Sequence, residues 1–133
     1  MAAQHSIDNN RNLIITTWSG PATDSDLIQA LSEYQQHTKN RPEYDSYDEI
    51  VDLGGVTKFK LSTEGIKKLV QVAARSDVPG KRTRLAIIVN QPVAYGMARM
   101  YEVYRSLQTN VVKEIRVFMK YDDAQEWIES KTH

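Results

Sequence analysis

The sequence predicts an α/β fold: a mixed, mainly parallel five-stranded sheet with four helices, in the order β-β-α-β-α-β-α-β-α. Three observations carry this. Four segments with apolar residues at helical spacing alternate with short β-branched or wholly apolar runs. The run Leu85 to Val89 is apolar at every position, as expected of a central strand buried on both faces. A turn-rich cluster, Asn9-Asn10-Arg11-Asn12, separates two strand-like runs near the start and adds one antiparallel edge strand by a hairpin.

Each element has its own justification. His5 to Asp8 and the β-branched run Leu13 to Trp18 form the hairpin, and Ser19-Gly20-Pro21 is expected to stop the second strand. Thr23 begins the first helix: its hydroxyl caps free N–H groups, and Asp24 and Asp26 suit the positive end of the dipole. Leu27, Ile28, Leu31 and Tyr34 form the inward stripe of that helix, which fades near Asn40 because Pro42 biases Arg41 away from helix. Tyr47 to Leu53 is the next strand. Ser62 to about Arg75 is the second helix, with Ile66, Leu69, Val70 and Ala73 at core spacing.

Val78-Pro79-Gly80 is a turn before the strand Leu85 to Val89. Pro92 opens a third helix at a tolerated first-turn position, with Val93, Met97, Met100, Tyr101 and Tyr104 on its inner side. Ile115 to Met119 is the last strand. Asp122 caps the last helix with Gln125 as its capping-box partner, and Trp127 and Ile128 dock it.

Composition bounds function. The 133 residues suit one domain, spanning 1–133, large enough to bury a core without staples. Basic and acidic residues balance at 17 each, which argues against nucleic acid as a partner. The short basic run Lys81-Arg82 with Arg84 reads as a solvated turn. With no cysteine, thiolate zinc sites and cysteine nucleophiles are excluded. The start, MAAQHSIDNN, lacks the apolar core of a secretory signal, and no apolar run approaches the roughly 18 residues of a membrane span. A cytoplasmic protein is expected.

Catalytic constellations are not legible. His5, His37 and His133 have no metal-ligand spacing and read as exposed. There is no G-x-S-x-G elbow, no phosphate-binding P-loop and no G-x-G-x-x-G, so no cofactor is implied.

Attention falls instead on Ile50 to Leu69, IVDLGGVTKFKLSTEGIKKL, a strand-loop-helix junction of the kind that binds ligands at the carboxyl ends of strands. Asp52 at the strand's end is either a general base or metal ligand, or an acceptor that holds the following loop. The second reading is favoured because no second acid lies nearby. Gly54-Gly55 reads as a loop needing positive φ or close backbone approach. Lys58, Lys60, Lys67 and Lys68 surround a helix N-terminus that attracts anions, but Glu64 already compensates its dipole. In the third helix, Gly96 costs about 1 kcal/mol against alanine, and close approach to the sheet or a partner is expected to offset it. Methionine and tyrosine there, Tyr95 included, suit an adaptable binding surface.

These residues resemble the STAS domain, and especially its SpoIIAA-like group, also described as STAS/SEC14. The resemblance is carried by IVDLGGVTKFKLSTEGIKKL, by AYGMARMY at 94–101 and by TTWSGPAT at 16–23, and it covers most of the chain. It implies a regulatory protein-interaction module. In regulatory members the junction carries Asp-Ser-Ser-Gly-Leu, whose second serine is phosphorylated by a partner kinase. Here Ser62-Thr63-Glu64-Gly65-Ile66 occupies that place: Gly65 and Ile66 match, and Glu64 replaces the modified serine.

The expectation is therefore a non-catalytic module whose binding edge includes Asp52, Gly54, Gly55, Ser62, Thr63, Glu64, Gly65 and Tyr95. The alternative is a small-molecule or lipid carrier of SEC14-like type holding an apolar ligand. An enzyme using Asp52, Ser62 or Thr63, and Tyr95 ranks third. A homodimer is also expected, with the edge strand and exposed aromatics such as Trp18 or Tyr47 covered by a second copy.

Overall fold

A computed structural model describes residues 3–108 and 112–130; His133 and its expected exposure lie outside the described residues. The elements are β1 (Ala3–Asp8), β2 (Leu13–Thr23), α1 (Asp24–Thr38), a 3-10 turn (Pro42–Ser46), β3 (Asp48–Lys60), α2 (Thr63–Ala74), β4 (Thr83–Ile88), α3 (Pro92–Ser106), β5 (Lys113–Phe118) and α4 (Tyr121–Glu129). Strand order in the sheet follows chain order, β1-β2-β3-β4-β5. β1 and β2 are antiparallel, and every other pair is parallel. The expected mixed, mainly parallel architecture is the one observed.

Topology places the helices. Each parallel crossover steps one strand in the same direction, and crossovers of one hand then put α1, α2 and α3 on the same face. α4 follows the last strand, is under no such constraint, and lies on the other. The β3 to β5 segment therefore alternates. Ile50, Ala86 and Ile88 pack with Ala124, Trp127 and Ile128 of α4. Leu85, Ile87, Val89 and Ile115 pack with Ala94 and Ala98 of α3. Two guanidinium groups lie over the Trp127 ring, Arg84 at 4.9 Å and Arg116 at 5.4 Å from its centre. Arg84 also donates to the Trp127 carbonyl at 2.7 Å, so it anchors α4 and is not part of a solvated turn.

Several boundaries differ from expectation. β2 does not stop at Ser19-Gly20-Pro21 but runs on to Thr23. β1 pairs only as far as Trp18, so Pro21 has β3 on one side and an open edge on the other, where a missing N–H is tolerated. Register shifts at Thr17/Ser19 and Gly20/Pro21, with Gly20 at φ +90°, absorb the irregularity. β3 extends with it through Gly54-Gly55 to Lys60, so these glycines lie in a strand and neither has positive φ. Gly55 pairs with Ser19, and a Cβ on it would come within 2.6 Å of the Trp18 carbonyl oxygen; close approach is the reason for this glycine.

Helix termini follow the side chains. Thr23 caps α1 in a full box: Asp26 N–H donates to Thr23 Oγ1 at 3.1 Å and Thr23 N–H to Asp26 Oδ2 at 3.3 Å. α4 begins two residues earlier than expected. Lys120 takes the cap position without a side-chain bond, Asp122 lies in the first turn, and Gln125 reaches Glu129 instead.

α3 turns Ala94, Ala98 and Arg105 inward rather than Val93, which is exposed. A Cβ on Gly96 meets open space, so close approach within the chain does not account for it; Ala94 and Ala98 make the close packing. Trp18 and Tyr47, expected to be exposed, are buried within this chain. Trp18 Nε1 donates to the Pro21 carbonyl at 3.2 Å, and the Tyr47 hydroxyl donates to Asn9 Oδ1 at 2.8 Å.

Candidate functional site

The residues singled out from the sequence fall into two hydrogen-bonded sets and one isolated side chain. At the carboxyl end of the sheet, Gly54 N–H donates to Asp52 Oδ1 at 2.8 Å, and Asn90 Nδ2 donates to the Gly54 carbonyl at 2.8 Å. Asp52 thus holds the backbone after it, the favoured reading. It registers with Ile88 on the α4 face.

The second set belongs to α2, across the sheet. Ser62 caps that helix by accepting from Gly65 N–H at 3.0 Å. Asp24, at the start of α1, accepts from Ser62 N–H at 3.0 Å and from Ser62 Oγ at 2.6 Å. A Cβ on Gly65 would overlap the Asp24 carboxyl group. Ser62 and Gly65 therefore tie two helix starts together, and a carboxylate of the chain already lies where an anion would bind. Thr63 and Glu64 are exposed, as is Tyr95 on α3.

A more enclosed feature lies between the sheet and α1, α2 and α3: a cavity of about 200 Å³. α1 carries the stripe expected of it, yet none of its residues is fully buried. The stripe has space beneath it. Leu27, Leu31, Leu53, Phe59, Leu69 and Met97 form apolar walls toward the carboxyl ends of the strands. Polar groups collect toward the amino ends, beneath the carboxyl ends of the helices. Glu49 is the second residue of β3, Lys113 the first of β5, Tyr34 is near the end of α1, and Tyr101 and Arg105 are in the last turns of α3.

Charges at this end are paired. Lys113 Nζ donates to Glu49 Oε1 at 3.0 Å and to Thr83 Oγ1 at 3.1 Å. Arg105, 1% exposed, forms a two-pronged pair with Asp77 at 2.8 and 3.0 Å and donates to Gln108 Oε1 at 2.6 Å. Burial pulls the Arg105 guanidinium down, but Asp77 more than offsets it, with Tyr101 beside it. Its Nε has no hydrogen-bond partner. Burial pushes the Tyr101 hydroxyl up to about 12 and raises Tyr34 further.

On the β1 side, His5 is exposed but packs on the Tyr34 ring at 5.0 Å, and its Nδ1 lies 2.7 Å from Thr16 Oγ1. Burial holds its pKa below the usual value and nearby His37 lowers it further, against a smaller opposing pull from Glu49. No group of three His, Cys, Asp or Glu side chains placed to hold a metal ion occurs among the described residues.

The sequence missed this polar end because Tyr34, Glu49, Tyr101, Arg105 and Lys113 come from four elements and share no motif. The available signal was local: Glu49 breaks an otherwise apolar alternation with Val51 and Leu53, and Arg105 falls four residues after Tyr101 on the buried side of α3.

No family model matches the chain. No curated protein matches it either. Among solved structures, it is similar to an uncharacterised protein of the DUF3478 family with a SpoIIAA-like fold from Shewanella loihica. The TM-score is 0.56 at 15% sequence identity, covering 96% of this chain and 92% of that one. The chain has the SpoIIAA-like fold. Among the described residues no helix is long and apolar enough to cross a membrane.

Proposed function

We propose that this SpoIIAA-like chain is a non-catalytic binding domain for a small, largely apolar molecule held between the sheet and helices α1 to α3. The supporting observation is the cavity of about 200 Å³ beneath an amphipathic helix that buries none of its residues fully. Native interiors are close-packed, and voids that exceed a few waters are few. At about 30 Å³ per water-sized atom, the space holds roughly seven heavy atoms. The SEC14-like alternative is therefore read as a carrier of a small ligand rather than of a whole phospholipid.

Binding without turnover fits the one hydroxyl–imidazole pair that lines the cavity. Thr16 lies in mid-strand between His5 and Val51, so its neighbouring amides belong to sheet ladders and supply no oxyanion hole. Thermal unfolding against small organic molecules tests the reading. A ligand at a hundred times its Kd adds about 2.7 kcal/mol, which raises Tm by roughly 10 °C for a chain of this length. No shift with any molecule of up to about ten heavy atoms removes the proposal.

A second reading, a protein-binding edge, rests on Val93, Tyr95 and Met119, which are exposed around the carboxyl ends of β4 and β5. A homodimer through this edge gives a sedimentation coefficient that rises with concentration and falls to the monomer value in Val93→Glu. A wild-type monomer at every concentration rules it out.

A further inference from the structure

Resting on the cavity as the ligand site, we infer that the ligand is a neutral amphiphile carrying a hydrogen-bond acceptor, such as a short ester or ketone, and not a carboxylate. Three observations point there. The size admits about seven heavy atoms. The polar end offers donors to a ligand: Tyr34, Tyr101 and Lys113 line the cavity, and burial keeps both tyrosine hydroxyls protonated. The charges there already cancel, Lys113 against Glu49 and Arg105 against Asp77. An ionised headgroup adds a charge with no counter-ion, whereas a carbonyl oxygen accepts from such a donor at no such cost.

The apolar walls from Leu31 to Met97 take the chain of the molecule, and the amino ends of β3 and β5 take its carbonyl. The selectivity resides in Glu49: while it neutralises Lys113, acids are disfavoured. Removing that one negative charge leaves Lys113 unpaired and reverses the preference.

The experiment uses the full chain near neutral pH with the isomers methyl pentanoate and hexanoate, and toluene as an apolar control, by calorimetric titration. Methyl pentanoate is expected to bind at least tenfold more tightly than either and to be recovered unhydrolysed. In Glu49→Gln, hexanoate gains at least tenfold. The carbonyl stretch of bound ester, read by isotope-edited infrared in the wild type, moves to lower frequency than in an apolar solvent; this readout needs no variant. Hexanoate equal to or tighter than the ester in the wild type, or an unshifted carbonyl, overturns the inference. Toluene binding as tightly as the ester overturns it while leaving the cavity reading standing. No binding by any of the three overturns both.

Discussion

At Gly65 two helix starts come so close that only a hydrogen fits beside the Asp24 carboxyl group. The same carboxylate holds Ser62 through its N–H and its hydroxyl, and Ser62 in turn caps α2. Gly65→Ala forces Asp24 away and releases both bonds. The expected loss is about 2 kcal/mol, read as a lower urea midpoint. Loss of Asp24 as well restores part of it, because the obstruction goes with it. An unchanged midpoint in Gly65→Ala contradicts the account.

The matching of Gly65 and Ile66 to a known motif was legible in the sequence. The reason for Gly65 was not, since Asp24 lies 38 residues before Ser62. His5 gives a second prediction at this scale. Its folded pKa is lowered, so the unfolded chain takes up the proton more readily. Its contribution is complete above the ordinary value of about 6.5 and declines as pH falls below that. The groups around it are Thr16, Tyr34, His37 and Glu49. Urea midpoints near pH 7.5 and 5.5 should fall more in the wild type than in His5→Gln; equal falls contradict the assignment.

Among the elements, β2 and β3 show how far local punctuation can mislead. Ser19-Gly20-Pro21 and Gly54-Gly55 carry the residues of turns, yet each lies in a strand because the two irregular segments pair with each other beyond the reach of β1. Helical spacing was more dependable, since Thr23, Ser62 and Pro92 start their helices much as their chemistry predicts. The stripe on α1 was also legible, but a stripe says which way a helix faces and nothing of whether the space below is filled.

Ala30, beside that stripe, lines the cavity. Ala30→Leu adds apolar atoms where there is room, with an expected gain of about 1 kcal/mol and weaker binding of any cavity ligand. A net loss of stability means that the space is not available. On the opposite face, Trp127→Ala removes the ring that docks α4 against Arg84 and Arg116. The expected cost is about 3–5 kcal/mol, measured by chemical denaturation.

For the molecule as a whole, the feature on which the proposed function rests is the interior space on the three-helix face, with walls at one end and paired charges at the other. It was invisible in the sequence because volume is a property of packing, and because Glu49, Tyr101, Arg105 and Lys113 meet only once the sheet and α3 have formed. The junction at Ile50 to Leu69 was the natural place to look. Of its polar residues, Asp52 and Ser62 hold local structure, while Thr63 and Glu64 are exposed.

The most direct measurement is methyl-resolved NMR of the chain titrated with methyl pentanoate. Saturable shifts confined to methyls of Leu27, Leu31, Leu53, Leu69 and Met97 are the expected result. No saturable shift, or shifts confined to Val93 and Met119 outside the cavity, would contradict it.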